Sequence, residues 1–136
     1  DLISLKLGIN THGAGTFNER SWAAAVLGFI FTVRDGHPDT PLLVISPIHT
    51  TTREQQPSPT GLTLPWMRDT LADLVQTLRA RGDANLHYLS GHALLGPDHE
   101  ADLQPDGVHP TADGYENIAS RFCARAPAEW STRQKR

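Results

Sequence analysis

The residues best suited to acid–base chemistry lie near the end of the sequence, where Asp106 precedes His109 by three positions. A histidine that acts as a general base needs an acid that fixes its tautomer and stabilises the imidazolium. A carboxylate on a tight turn that contains Gly107 is close enough in sequence to reach the imidazole ring. Taken alone, the same residues also fit an ordinary Asp-Gly turn followed by a surface histidine.

A second candidate for chemistry is Asn10, which follows Gly8 at the end of an aliphatic stretch. A side-chain amide donates a hydrogen bond to an oxyanion as charge develops, which contributes about 3–4 kcal/mol in measured cases. Gly8 permits the sharp bend that such a position requires at the end of a strand. A turn asparagine beside a turn glycine is the alternative interpretation of this pair.

The apolar pattern predicts the elements that must position these residues. Short aliphatic stretches at residues 2–7, 42–45 and 86–89 are typical of strands, and the unbroken run at 42–45 indicates a strand buried on both faces. The alternation of strands and helices favours an α/β layer fold with a parallel sheet. Apolar residues at helical spacing form three stripes: Trp22, Val26, Phe29, Ile30 and Val33; Met67, Leu71, Leu74, Val75 and Leu78; and Tyr115, Ile118, Ala119 and Phe122.

Helix boundaries are predicted from the residues that cap helices. We expect a loop over residues 10–15 and a capping box from Thr16 to Glu19 at the start of the first long helix. Thr63 is predicted to cap the second helix and Thr111 the last one.

Three stretches with polar residues follow the three predicted strands. In an open parallel sheet, ligands bind at the carboxyl ends of the strands. We therefore expect Asn10, His49 and His109 to approach one rim of the sheet. His49 is predicted to line the pocket for the acyl or leaving group, with an ordinary loop histidine as the alternative. The polar loop over residues 49–60 is long enough to suggest a functional loop.

These blocks together resemble the SGNH (GDSL-type) hydrolase family. The family's Gly-x-Asn-Asp block is similar to residues 8–10, with Thr11 in place of the final Asp, and its Asp-x-x-His block is similar to residues 106–109. The stretch 109–115 looks like the family's C-terminal His-Pro-x-x-x-Gly-Tyr signature. The resemblance implies a flavodoxin-like three-layer α/β/α sandwich, incomplete at its N-terminus. It also implies a serine esterase or acyltransferase that acts on a small or carbohydrate-like ester.

The resemblance also implies roles for the candidate residues. His109 would take the proton of a serine nucleophile, Asp106 would orient His109, and Asn10 would share the oxyanion hole with backbone N–H groups. The family's Gly-Asp-Ser block does not occur in this sequence. We therefore expect the serine to lie upstream and the 136 residues alone to be inactive. The alternatives are a catalytically inactive binding module on the same fold and a flavodoxin-like cofactor-binding domain.

Composition limits the remaining function classes. With 38% apolar and 20% charged residues, residues 1–136 are expected to form a single domain with a flexible tail at 127–136. A net charge of −3 without a basic cluster argues against nucleic-acid binding, and no apolar run approaches the ~20 residues of a membrane span. The single Cys123 excludes an internal disulfide and is expected to be buried. No metal or organic cofactor is expected, the partner is a small ester, and oligomeric state and compartment stay open.

Overall fold

The structure, a computed structural model, describes residues 1–125, which form a parallel sheet between two layers of helices. The strands are β1 (Ile3–Lys6), β2 (Leu42–Ile45) and β3 (Leu86–Leu89), hydrogen-bonded in the order β1-β2-β3. The helices are α1 (Ile9–Ala14), α2 (Glu19–Gly36), α3 (Leu64–Ala80) and α4 (Ala112–Arg125), and the 3-10 helices Gly91–Ala93 and Pro97–Asp102 lie between β3 and α4. The tail predicted for residues 127–136 lies outside the described residues.

Two apolar cores lie on opposite faces of the sheet, and β2 contributes to both. Every residue of β2 is at most 5% exposed, because its side chains alternate between the two cores. Leu42 and Val44 pack with the apolar stripes of α2 and α3. Leu43 and Ile45 pack with the segment after β3 and with the inner face of α4. The predicted three-layer α/β/α architecture is therefore confirmed.

Local sequence signals explain how the long helices begin. Asn18 caps α2: its side-chain oxygen accepts hydrogen bonds from the N–H groups of Arg20 and Ser21, and the Ser21 hydroxyl accepts one from the N–H of Asn18. The predicted capping box from Thr16 to Glu19 is therefore wrong by two residues. Thr63 caps α3 as predicted.

Three further local predictions are wrong. Residues 9–14 form the short helix α1 rather than a loop, and Gly15 ends it in the left-handed conformation. Phe29 is 46% exposed because it lies beside the inward stripe formed by residues 22, 26 and 30. Cys123 is exposed, since the inner face of α4 is formed by Ile118 and Phe122.

No helix within residues 1–125 combines the length and the apolar character that crossing a membrane requires.

Candidate active site

The turn over residues 106–109 holds a carboxylate against an imidazole. Asp106 Oδ1 accepts hydrogen bonds from the backbone N–H groups of Val108, at 2.9 Å, and His109, at 3.0 Å. The second oxygen, Oδ2, lies 2.6 Å from Nδ1 of His109. With Nδ1 carrying the proton shared with the carboxylate, Nε2 is left as the basic nitrogen of a neutral ring. The turn thus presents the tautomer that a general base requires.

Backbone contacts at the base of the turn fix its position. Leu103 and Pro110 form an antiparallel bridge that closes the loop between them. The N–H of Gln104 donates to the carbonyl of His109 at 2.7 Å, and its side-chain amide donates to the carbonyl of Pro110 at 3.0 Å. Immediately afterwards, the hydroxyl of Thr111 accepts from the N–H of Gly114 and caps α4, as predicted. The imidazole of His109 therefore extends from a loop whose backbone is held by hydrogen bonds.

Gly107 allows this turn to dock against the loop that follows β2. Its φ of 68° is left-handed, and a Cβ atom there would lie 2.0 Å from the Thr51 hydroxyl. The N–H of Thr51 donates to the carbonyl of Gly107 at 2.9 Å, and the Thr52 hydroxyl donates to the carbonyl of Asp106 at 3.1 Å. Glycine is required here for both its backbone conformation and its lack of a side chain.

Asn10 is positioned by α1, which begins directly after β1. Gly8, at the N-cap, has a φ of 117°, and a Cβ atom there would lie 2.7 Å from Pro47. The carbonyl of Gly8 accepts from the Thr11 hydroxyl and the His12 N–H, both at 2.8 Å. Gly8 itself lines a separate apolar cavity of about 310 Å³ beside α2, so its substrate-binding role stays a prediction.

Asn10 and His109 line the same cavity, which has a volume of about 540 Å³. The two side chains thus lie on one rim, although they come from opposite ends of the sequence. Their catalytic roles stay predictions, and the geometry is compatible with them. The other lining residues are Lys6, Ile9, Gly13, Ile48, Arg53, Val108, Pro110 and Tyr115.

Hydrogen bonding sets the charge state of the carboxylate in this site. The backbone N–H of His109, then its imidazole, then the N–H of Val108 lower the pKa of Asp106 to about 2. Asp106 is therefore ionised at neutral pH. Both side chains are well exposed, His109 at 64% and Asp106 at 48%, and of the two only His109 lines the cavity.

His49 lies under the cavity wall rather than in its lining. It is 6% exposed, and its Nε2 lies 2.9 Å from the carboxylate of Glu100. The neighbouring Ile48 lines the cavity instead. The predicted substrate contact of His49 therefore stays a prediction, and the structure gives this residue a buried polar environment.

His49 belongs to a cluster with Glu54 and His92, whose ligand-type atoms all lie within 4.8 Å of one another. The sequence spacing did not predict this cluster, because its members come from two separate loops. Arg68 donates to both oxygens of Glu54, at 2.5 and 2.9 Å. Its guanidinium lies where it would repel a metal ion. Desolvation, and after it the charge of Arg68, lower the pKa of His92. We interpret the group as a partly buried polar cluster, centred on the Arg68–Glu54 ion pair, that supports the loop after β2.

Three residues of the cavity were not predicted from the sequence. Lys6 and Arg53 add positive charge to its lining, and Tyr115, which is 56% exposed, adds an aromatic ring. Desolvation lowers the pKa of the Lys6 amine. Arg53 lies in the long polar loop that the sequence singled out, so the loop length was the available signal.

Sequence comparison gives one family match. Residues 16–125 match the GDSL-like Lipase/Acylhydrolase family. A search of curated protein sequences finds no match.

Structure comparison finds similar folds in an acyltransferase and in carbohydrate esterases. The salicylyl-acyltransferase SsfX3 from a tetracycline biosynthetic pathway shares 30% identity and a TM-score of 0.78, over 89% of this chain and 35% of that protein. A carbohydrate esterase family 3 protein from Talaromyces cellulolyticus shares 21% identity and a TM-score of 0.66, over 90% of this chain and 55% of that protein. A family two carbohydrate esterase from Clostridium thermocellum, in complex with cellohexaose, shares 18% identity and a TM-score of 0.68, over 90% of this chain and 34% of that protein. This chain therefore spans about a third to a half of their lengths.

Proposed function

This chain belongs to the GDSL-like lipase/acylhydrolase family, and we propose that it supplies the general base and an oxyanion donor of a serine esterase or acyltransferase. The observation that carries the proposal is one cavity lined by the Asn10 amide and by a histidine whose Nδ1 is bonded to a carboxylate. The family match favours this function over the flavodoxin-like cofactor-binding alternative.

The chemistry assigned to His109 follows from its free nitrogen. Nε2 removes the proton from a serine hydroxyl as the oxygen attacks the carbonyl carbon of the ester. The resulting imidazolium is stabilised by Asp106, which stays ionised because its pKa is about 2. His109 then returns the proton to the departing alcohol, and an acyl-enzyme remains. Water or an acceptor alcohol completes the cycle by the same proton transfers in reverse.

The role assigned to Asn10 is to stabilise the tetrahedral intermediate. Its side chain is exposed at the start of α1 and lines the cavity with the imidazole. An amide N–H that is already in place donates to the oxyanion without reorganisation, which is the source of its catalytic effect. Backbone N–H groups from outside these residues complete the oxyanion hole in the proposal.

We assign the nucleophile to a serine outside these 136 residues. No serine is among the described residues that line the cavity with His109. Two further observations support the assignment: the chain spans 35% of the acyltransferase, and β1 has one edge without a strand partner among residues 1–125. A segment that adds strands to that edge would place its own loops at the same rim.

The substrate class in the proposal is a small or carbohydrate-like ester. Solved structures with this fold include an acyltransferase for a salicylyl group and two carbohydrate esterases. Hydrolysis and acyl transfer share the same residues and differ in whether water or an alcohol reaches the acyl-enzyme.

The test uses the protein expressed together with the segment that precedes these residues. We expect it to cleave p-nitrophenyl acetate, and we expect His109→Ala to lower kcat by roughly 10⁴–10⁶-fold. Asn10→Ala should lower kcat by roughly 10²–10³-fold with little change in KM, because the oxyanion forms only in the transition state.

The matched control is His37→Ala, because His37 is exposed at the end of α2, away from the cavity. This variant should retain full activity. Wild-type turnover in His109→Ala would refute the proposed base.

A further inference from the structure

Arg53 is an arginine without a carboxylate partner at the candidate active site. Its side chain is half-buried, and within residues 1–125 its guanidinium makes neither an ion pair nor a side-chain hydrogen bond. It lies over Gly13 of α1, where an added Cβ atom would be 2.6 Å from one guanidinium nitrogen. A partly desolvated cation without a counter-ion is costly unless something else neutralises it.

Other partly buried arginines of the chain do have acidic partners. Each bonds a carboxylate, and Glu54, the residue next to Arg53, is bonded to Arg68. The acidic residue nearest in sequence is thus already neutralised. The three ion pairs are Arg34 with Asp83, Arg68 with Glu54, and Arg121 with Asp102.

The charges around the cavity favour an anion. Lys6 and Arg53 are both among the lining residues, and no lining residue described is acidic. Desolvation lowers the pKa of the Lys6 amine, and an anion in the cavity would counteract that effect. Asp106 is not a lining residue, and its oxygens are bonded to the imidazole of His109 and to the two N–H groups of its turn.

We propose that Arg53 binds a carboxylate carried by the ester substrate, so that the cavity selects anionic esters. The inference rests on the proposed function, since it concerns the substrate of the same site. The planar guanidinium forms two parallel hydrogen bonds with a carboxylate, which gives both affinity and orientation. Gly13 keeps one face of the guanidinium close to α1 without a clash, and the Asn10 amide lies on the same helix.

The carboxylate belongs either to the acyl group or to the alcohol, and the experiment separates the two. The extended protein is assayed with p-nitrophenyl acetate, which is neutral, and with p-nitrophenyl hemisuccinate, whose acyl group is anionic. In 4-acetoxybenzoate the leaving alcohol is anionic, and in the methyl ester of 4-acetoxybenzoate it is neutral. Each ester is tested with the wild type, Arg53→Gln, Arg53→Lys and the control Arg81→Gln, which changes an exposed arginine at the end of α3.

We expect Arg53→Gln to lower kcat/KM by roughly 10–100-fold for at least one anionic ester, mainly through KM. The neutral esters should change by less than about threefold, and Arg53→Lys should restore part of the loss. If Arg53→Gln lowers kcat/KM equally for neutral and anionic esters, the inference about Arg53 is overturned. It is also overturned if the variant keeps its kcat/KM for both anionic esters while p-nitrophenyl acetate is still cleaved. Neither result counts against the proposed function. Absence of turnover with every ester counts against the proposed function itself.

Discussion

One buried arginine holds the segment between β2 and α3. Replacing this arginine tests whether the segment depends on it for its position at the cavity. Arg68, on α3, is 7% exposed and donates to the carbonyls of Pro47, at 2.8 Å, and Ile48, at 3.1 Å. It also donates to both oxygens of Glu54, whose side chain is 12% exposed. The guanidinium thus holds three points of the segment that carries Ile48 and Arg53 to the cavity.

Arg68→Met is predicted to lower the free energy of unfolding by about 3–5 kcal/mol, because it leaves a largely desolvated carboxylate, whose side chain is 12% exposed, without its partner. The double variant Arg68→Met, Glu54→Leu should regain part of this loss. A remaining cost of about 1–3 kcal/mol is expected from the two carbonyls that lose their donor. Urea unfolding followed by circular dichroism measures all three proteins. The single variant should also raise KM, since the loop lines the cavity.

The effect of Arg68→Met should depend on pH. Burial by itself raises the pKa of Glu54, but the hydrogen bonds and charge of Arg68, with smaller contributions from His92 and His49, outweigh it and lower the pKa overall. Because the pKa of Glu54 is lower in the folded protein, the Arg68–Glu54 pair stabilises the fold at pH values above the pKa of an unfolded glutamate, about 4.3. This stabilisation is lost as the pH falls through the pKa of Glu54 in the folded protein. The difference between wild type and variant should therefore shrink as the pH falls from neutral, because in the variant burial favours protonation of Glu54 and His92 no longer has its pKa lowered by Arg68. A loss under about 1 kcal/mol at neutral pH would refute this account of Arg68.

Three further predictions concern the turn over residues 106–109. Gly107→Ala should lower the free energy of unfolding by about 1–3 kcal/mol and should also lower kcat. The left-handed backbone at this position disfavours a residue with a Cβ atom, and the contact with Thr51 leaves no space for a methyl group. An unchanged midpoint of urea unfolding would contradict this prediction. Asp106→Asn should lower kcat by about 10⁴-fold in the extended protein, because an amide does not hold the required tautomer of His109. The pKa of Asp106 is lowered to about 2, so protonation of this carboxyl should not limit wild-type activity at any pH above about 4. The measurement is the pH profile of kcat in the wild type and in Asp106→Asn. A fall in wild-type activity above about pH 4 that is absent from the profile of Asp106→Asn would contradict the assigned pKa.

The sequence predicted the features that arise from local pattern. The buried strand at residues 42–45 was predicted because a short unbroken aliphatic run fits a strand covered on both faces. The pairing of Asp106 with His109 was predicted because both lie on one turn, whose short span limits where the carboxylate can point. Thr63 was predicted as a cap because hydroxyl side chains accept hydrogen bonds from the first turn of a helix.

The features that the sequence did not predict depend on contacts between distant segments. Helix α1 has the glycine-rich composition of a loop. It is held by tertiary contacts such as His12, whose Nε2 lies 3.2 Å from the carbonyl of Gln56. The contact of His49 Nε2 with the carboxylate of Glu100, at 2.9 Å, joins the loop after β2 to the 3-10 helix Pro97–Asp102. Arg53 becomes informative only when its neighbour Glu54 is seen to be paired elsewhere. Spacing along the chain contains none of this information.

Labelling with a fluorophosphonate, followed by peptide mass spectrometry, tests the central claim most directly. A fluorophosphonate forms a covalent bond with a serine that a neighbouring base has activated. In the extended protein we predict labelling of one serine outside residues 1–136, at a rate that falls at least 10³-fold in His109→Ala. The 136 residues alone should not be labelled. Labelling of a serine within them, or labelling of the extended protein at an unchanged rate without His109, would contradict the account.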